Sequence, residues 1–570
     1  MTRPRGLLTL ASVAVAFAAA DTYVVVLCLP DMMGSVGLSI DELQRAAPIL
    51  SGFLLGYVAM LPLIGRIADM RGRLPVLTAS LVLFALGSLV TAASYDLGSL
   101  VAGRFLQGVG GGGLVPVTLA LVADLYPVER RSVPLGVVNG VQEFGSVVGP
   151  LYGALILAIG DWRDIFWVNL AVAAALAVAV DVRAPRTGRR RPDWIGAVLF
   201  LALVGAVLLV MRQPAGLITS VRWGAPFVPF GESTSVWWSP LGVATTVLGI
   251  ALVLWLLLAP QAYGRHLVDL RGWWASTRQA DLPGAVLLAI VLGGVILAFA
   301  TADPQVQVFS AAGPWYLAVS ALALVGFVVH ARRTPRPLVP RGAFRGHPAV
   351  AAMIVSLFVG AALIAALTDI PIFARATVYS DSQLRAALVL VEFLVALPIG
   401  AVAGGLLARR LPNGLVAAAG LAVAAIGFVL MAGWGQDTLH HLSASAVLAV
   451  TGLGFGLALA PVNATLLAHT APESHGVTSA LLVVARMVGM LVGISALTTI
   501  GLRRYYAVEA DIASPHDVCG GLSTRCSAYT DLLQHAAIEQ LQAVFLGAAV
   551  CALIGAAVAG FGFGRTPRTH

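Results

Sequence analysis

Three ionisable side chains, Asp21, Glu143 and Arg486, lie inside stretches that are otherwise apolar over the length of a membrane-spanning helix. A charge in hydrocarbon costs at least about 2.5 kcal/mol even on lenient insertion scales, so such a residue faces a bundle interior and works on an ion or a substrate. The chemistry open to this set is proton binding. Burial disfavours the ionised form of a carboxylic acid, a nearby arginine favours it, and arginine itself stays charged. A Glu143 that meets Arg486 in one conformation and loses it in another would bind and release a proton; structural pairing without proton transfer is the alternative. Glu392 is a further acid in an apolar run, suited to a water-filled edge or a local partner. The ten histidines include none in HExxH or paired-ligand spacing, no nucleotide-binding loop is present, and no Ser or Cys constellation suits covalent catalysis. The residues point to a transporter and not an enzyme, with no metal, no cofactor and no ATP-driven step.

The elements that must position these groups follow from composition. With 59% hydrophobic and 11% charged residues, the chain is far more apolar than a soluble globule, whose apolar share is about 45–50%. It reads as an integral membrane protein. The net charge of +8 could suggest nucleic acid, but every basic residue is Arg and most stand in short loops between apolar runs. That is the positive-inside pattern, and no nucleic-acid partner is expected.

A span needs about 20 apolar residues. Runs near 6–30, 45–64, 74–93, 98–123, 133–159 and 164–182 give a first set of six; runs near 348–368, 385–408, 414–433, 442–468, 477–500 and 538–562 give a second. Four more lie near 194–211, 240–260, 282–300 and 314–331. The expected fold is an all-α polytopic membrane protein of about sixteen spans, with fourteen as the alternative count. Residues 1–182 and 347–570 form two six-helix bundles, and 183–346 form a linker region with four spans. Arg3/Arg5, Arg66/Arg71/Arg73, Arg130/Arg131, Arg183 to Arg191, Arg265/Arg271/Arg278, Arg332 to Arg345 and Arg409/Arg410 fall in alternate loops. Both termini are then cytoplasmic, and Asp31, Asp41 and Glu42 mark an outer loop. Arg3, Arg5 and the Ala-rich stretch before Asp21 also resemble a signal peptide, but the apolar run continues from Tyr23 to Leu29 at span length.

Cys28 and Cys551 sit within spans as small hydrophobes. Cys519 and Cys526 lie in an outer loop, where a bridge closing the Gly520/Gly521 turn is expected and two free thiols are the alternative. Two sets of six suggest halves related by duplication, rocking about a central site. The loop GRIADMRGR echoes GGLLARRLPNG of the second half, with Gly405 and Arg409/Arg410 at comparable places. In the linker, DWIGAVL from Asp193 echoes DLPGAVL from Asp281, each Asp placed to cap an outward-running helix; chance similarity in an Ala/Val/Leu-rich chain is the alternative.

GRIADMRGRLPVL, Gly65 to Leu77, resembles the signature loop between the second and third helices of the major facilitator superfamily. Gly65 and Gly72 permit a close approach and a tight turn. Asp69 can pair with Arg73 and face the N-terminus of a neighbouring helix. The resemblance places that helix in the other half, so the contact would latch the cytoplasmic side; a solvated turn is the plainer reading. Leu74 stands where the family has a further basic residue. GSVVGPLYGA, Gly145 to Ala154, resembles the antiporter motif of the fifth helix: Gly145, Gly149 and Gly153 make one smooth packing face, Pro150 removes a backbone donor, and Ala154 replaces a usual Gly. Small-residue packing with no transport meaning would look the same. Arg104, Gln107 and Gly108 match the fourth-helix pattern, and WRDIFWVNL, Trp162 to Leu170, matches the drug:proton antiporter branch.

Within that branch, DTYVVV at Asp21, QEFGSVVGPLYG at Gln142, ALPIGAV at Ala396 and VVARMVGMLVG at Val483 resemble the mycobacterial proton-coupled exporters of triacylglycerides and drugs that work with a periplasmic lipoprotein. The resemblance implies that Asp21, Glu143 and Arg486 couple protons, with Arg104 a partner near the outer side. It implies export of a hydrophobic cargo from the inner membrane. The chain departs from the family in having four linker spans instead of two and a short outer loop, Gly433 to Leu442. Residues 212–239, with Trp223, Phe227, Phe230, Trp237 and Trp238, could serve a lipoprotein or lipid instead, or form an aromatic belt. A sugar or amino-acid site needs several converging polar groups, whereas the spans offer few, among them Asn139, Gln107, Gln142 and Asn463. Lipid export comes first, multidrug:proton antiport second, and a non-transporting scaffold or sensor third. The expected partners are membrane lipids, protons and a hydrophobic substrate.

Overall fold

The structure, a computed structural model, describes residues 4–38, 43–183, 193–232, 234–258, 268–300, 312–344, 346–379, 382–519 and 526–563. Arg3, Asp41, Glu42, Arg186, Arg189, Arg190, Arg191, Arg265, Arg345, Gly520 and Gly521 lie outside the described residues, as do the side chains of Arg5 and Pro150.

In hydrocarbon every backbone amide must be satisfied internally, and helices do this within one segment. Among the described residues, fifteen helices are long and apolar enough to cross a membrane. The first set is α1 (Pro4–Ser35), α2 (Leu43–Arg71), α3 (Arg73–Ala93), α4 (Leu97–Leu125), α5 (Ser132–Ile159) and α6 (Trp162–Arg183). The linker holds α7 (Trp194–Arg212), α8 (Pro240–Leu258), a short α9 (Leu270–Gln279), α10 (Leu282–Ala300) and α11 (Gly313–Arg333). The second set is α12 (His347–Ala376), α13 (Gln383–Leu407), α14 (Asn413–Met431), α15 (Leu442–Ala468), α16 (His475–Ala510) and α17 (Ser527–Gly562). Leaving α9 aside, these are sixteen long helices.

Local chemistry sets their ends. Gly72 at φ 93° supplies the left-handed residue that lets α3 fold back on α2. Asp96 opens α4 by accepting from Ser99 N at 2.8 Å in a capping box. The linker aspartates act as expected: Asp193 accepts from Gly196 N at 2.8 Å and Asp281 from Gly284 N at 3.1 Å. Asp281 does more, taking His330 Nε2 at 2.7 Å and Leu338 N at 2.9 Å, which ties the exit of α11 to the start of α10.

The second half has its own core, in which Phe373, Phe428, Trp434 and Phe545 pack ring against ring. A cluster of Val24, Cys28, Met32, Trp162 and Phe166 belongs to the first half alone. A third cluster joins the halves: Ile64, Ile67 and Ala68 pack with Ala464, Leu467, Ala480 and Val483. It lies at the arginine-rich end, so the halves meet there. Leu288, Leu292 and Ile296 of α10 belong to the same cluster. Helices α7 and α8 are more peripheral, with Val198, Leu201, Ile250 and Leu254 exposed to whatever surrounds the bundle.

One sequence reading needs correction. Spans at 477–500 and 538–562 leave 501–537 as loop, but α16 and α17 are 36 residues each, about 54 Å at 1.5 Å per residue. A hydrocarbon core is about 30 Å, so both project well beyond it on the side away from the arginines. Arg503, Arg504, Tyr505, Tyr506 and Glu509 end an apolar run without ending a helix. Arg504 pairs with Glu539 across the projecting hairpin, and the disulfide Cys519–Cys526 closes its tip.

Candidate functional site

The ionisable residues of the spans fall into separate groups. Asp21 on α1 is wholly buried inside the first half. Its Oδ2 accepts from Arg104 at 2.9 Å, and its Oδ1 accepts from Gln107 Nε2 at 3.0 Å and from Asn169 Nδ2. Gln107 also donates to Ser88 Oγ at 3.0 Å and accepts from Arg104. The guanidinium of Arg104 lies 4.4 Å from the Phe53 ring centroid and 5.7 Å from that of Phe166. Three donors on two helices of the same half, α4 and α6, thus hold Asp21, and Arg486 is not among its partners. The proton-coupling set proposed from sequence is therefore not one cluster.

Glu143 and Arg486 make the second group, and they face each other across the halves. Glu143 Oε1 on α5 stands 3.6 Å from Arg486 on α16, with side chains 9% and 8% exposed. That distance is an ion pair beyond hydrogen-bonding range. Arg486 Nε has no hydrogen-bond partner among the described residues. Both line a central cavity with Thr22, Phe53, Tyr57, Gln142, Ser146, Met487 and Met490. In this arrangement its volume is about 60 Å³, space for a few waters. Phe53 stands between the two ionic groups, lying under Arg104 and lining the cavity.

Why α1 and α5 lie so close follows from the small residues. A methyl at Gly145 or Gly149 would strike the carbonyl of Ala16 or Ala20, so the glycine face of the motif is the face that packs on α1. Gly153 is buried as well. Gly136 and Gly405 make the matching approach between α5 and α13, where Gly405 would meet the Ser132 carbonyl.

The third group is at the arginine-rich end. Asp69 pairs with Arg73 and accepts from the backbone N–H groups of Gly476 at 2.7 Å and Val477 at 3.1 Å. These are the free amides of the α16 N-terminus, where a negative charge is favoured. Gly65 and Gly476 touch backbone to backbone, leaving no room for a Cβ at either. Arg73 Nε also donates to Asp124 at 3.1 Å. Asp124 is the member of this relay that sequence reading lacks, and Leu74, without a charge, packs at the cluster's edge.

Asn139 and Asn463, two of the few polar residues of the spans, bond each other across the halves at 3.3 Å. Gln142 alone of the named polar residues faces the cavity with the ion pair. Glu392 is exposed on the stripe of Leu388, Val395 and Ile399, away from the cavity. Asp369 on α12, overlooked in an apolar run, accepts from Thr368 Oγ1 at 2.8 Å. Its signal was available: an acid preceded by ALT in a span.

Residues 11–494 match the Major Facilitator Superfamily. The chain is 34% identical over 560 residues to a "Triacylglyceride transporter" of Mycolicibacterium smegmatis, covering 96% of this chain and 85% of that one. It is 34% identical over 561 residues to the "Triacylglyceride transporter Rv1410c" of Mycobacterium tuberculosis, covering 96% and 92%. Among solved structures, the human organic anion transporter MFSD10 aligns with a TM-score of 0.58 at 15% identity over 98% of this chain and 100% of that chain. The proton:xylose symporter XylE aligns at 0.51 with 13% identity over 97% and 94%; at such identities the likeness is one of fold. The chain belongs to the Major Facilitator Superfamily and is a membrane transporter, not an enzyme.

Proposed function

We propose that this transporter exports lipids, triacylglyceride-like in class, or other hydrophobic molecules from the inner membrane towards the periplasm, driven by protons. The observation that carries the coupling is the Glu143–Arg486 pair, the ion pair that spans the two halves at the wall of the cavity. The halves must move relative to each other for access to alternate. A rocking motion that opens the cavity separates the pair, and Glu143 then takes a proton; closure restores the pair and releases it. Protonation from outside and release inside would drive cargo outward.

The cargo class rests on two supports. Relatives that match 96% of the chain are named triacylglyceride transporters. The cavity wall beside the ion pair is apolar and adaptable, with Phe53, Leu54, Val115, Leu363, Met487 and Met490. The positive-inside rule places the arginine-rich end, and both termini, in the cytoplasm. The outer surface then carries Trp223, Phe230 and Trp238 exposed, whereas Trp237 is held by Tyr95 Oη at 3.1 Å. A periplasmic lipoprotein that accepts the cargo would meet this surface or the projecting α16–α17 hairpin.

The test is flux in proteoliposomes under an imposed proton gradient. Parent protein should move labelled triacylglyceride with a rate that follows the gradient, and Glu143→Gln should lose that dependence. Gradient-dependent flux by Glu143→Gln at the parent level would reject the assignment. Mass spectrometry of lipid co-purified with the protein separates lipid export from drug:proton antiport.

A further inference from the structure

We propose that α9, the short linker helix at the arginine-rich end, is a docking site for anionic phospholipid headgroups. Its sequence, LRGWWASTRQ, has strongly two-sided character. Arg271, Trp274, Ala275 and Arg278 are exposed and recur at intervals of three and four, which sets them on one helical stripe. Trp274 is 60% exposed and stands between the two arginines. An exposed indole flanked by arginines on one face of a helix that does not cross the membrane suits the headgroup boundary, where the ring enters the apolar edge and guanidinium groups meet phosphate.

The opposite face is held by protein. Trp273 packs against the cluster that joins the halves, and the Arg71 guanidinium lies 4.7 Å from its ring centroid. Arg71 also donates to Asp269 at 2.9 Å. Asp269 in turn caps α9 by accepting from Gly272 N at 3.0 Å. The helix's own acid is therefore neutralised by Arg71 and by the helix N-terminus, while Arg271 and Arg278 keep their charge outward. Helix α10 starts at Leu282, three residues after α9 ends at Gln279, so α9 lies at the level where a span enters the bilayer. Charge complementarity selects the occupant: a zwitterionic headgroup offers no net attraction to two arginines, an anionic one does.

The test uses the full-length protein in neutral detergent, titrated with phosphatidylglycerol or with phosphatidylcholine of the same acyl chains, counting retained lipid by native mass spectrometry. The parent should retain phosphatidylglycerol in preference. Since each basic residue near such a lipid contributes roughly a fivefold gain, Arg271→Gln/Arg278→Gln should weaken that retention roughly thirtyfold and leave phosphatidylcholine unchanged. Trp274→Ala should weaken both lipids. Equal retention of the two lipids by the parent, or an unchanged phosphatidylglycerol titration in the double arginine variant, would overturn the proposal. If inorganic phosphate competes fully with the lipid, the stripe is an anion site and not a lipid site. The readout involves no transport, so its failure is distinct from failure of the export reading.

Discussion

Removing either partner of the Glu143–Arg486 pair should harm the protein more than removing both. At 3.6 Å, two unit charges attract by about 4.6 kcal/mol at an effective dielectric constant of about 20. Desolvation offsets much of that gain, so the intact pair is a modest net stabiliser. Glu143→Gln leaves Arg486 charged in a wall shared with Tyr57, Met487 and Met490, and breaking a pair in this way costs about 3–5 kcal/mol. A neutral amide cannot replace the missing charge. Arg486→Gln strands Glu143 in the same manner, although the acid can neutralise itself by taking a proton, so its loss should be the smaller of the two. The double variant carries no buried charge, and the amides can bond each other or water. Thermal unfolding of all four proteins in one detergent forms a double-mutant cycle, with an expected coupling of at least about 3 kcal/mol because the double loss falls below either single loss. If the double variant's loss equals the sum of the single losses, the pair is not coupled and the switch built on it fails.

Asp69→Asn sets a donor against the α16 amides and ends the pairing with Arg73. With about 1.5–3 kcal/mol for a hydrogen bond to a charged group, the ratio of open to closed at the arginine-rich end should rise by ten- to a hundredfold or more. Labelling of Ser474→Cys, buried here, by a water-soluble thiol reagent should accelerate in step; an unchanged rate would count against a latch. Asp21→Asn leaves Arg104 as an unpaired buried charge and should lower first-half stability by about 3 kcal/mol or more, seen as a reduced melting midpoint. An unaltered midpoint would show that the network does not need the charge. Cys519→Ser/Cys526→Ser opens a loop whose closure is worth about 2.5 kcal/mol on a chain-entropy estimate. Protease should then cut near the tip of the α16–α17 hairpin while the spans remain intact; resistance equal to the parent's would show that the bridge is dispensable.

The fold was legible in the sequence because a bilayer leaves few choices. Once the runs at 45–64 or 414–433 are recognised as apolar, helix is the form that satisfies their amides, and alternating arginines order them. The Asp69 contact was legible for a similar reason: Asp69, Arg73 and two glycines in a short loop specify a turn and a buried charge. What hydropathy could not mark was where helices continue into water. Arg503 and Arg504 end the apolar pattern of α16, yet helix propensity and the pairing of Arg504 with Glu539 carry it on. Partner choice was equally hidden. Asp21, Glu143 and Arg486 are all charges in spans, and nothing in their spacing shows that Asp21 takes Gln107 and Asn169 while Glu143 waits across the cavity.

That difference in partners assigns different work to two acids of similar chemistry. Asp21 has its charge met by Arg104, Gln107 and Asn169, all within one half. No rigid rocking of one half against the other changes those distances. Among the described residues Glu143 has one charged neighbour, at a distance too long for a hydrogen bond, and that neighbour belongs to the other half. Only the second arrangement converts a change of shape into a change of electrostatic environment, which is what coupling requires. Phe53 keeps the two apart, its ring taken by Arg104 on one side and open to the cavity on the other. Replacing it with Ala would remove the wall between them and let water from the cavity reach Arg104. The fixed site would then gain a route for protons that the rocking of the halves no longer controls, so Phe53→Ala should raise proton leak across proteoliposomes in the absence of cargo. A leak no greater than the parent's would mean that α1 and α4 seal the Asp21 network without the ring.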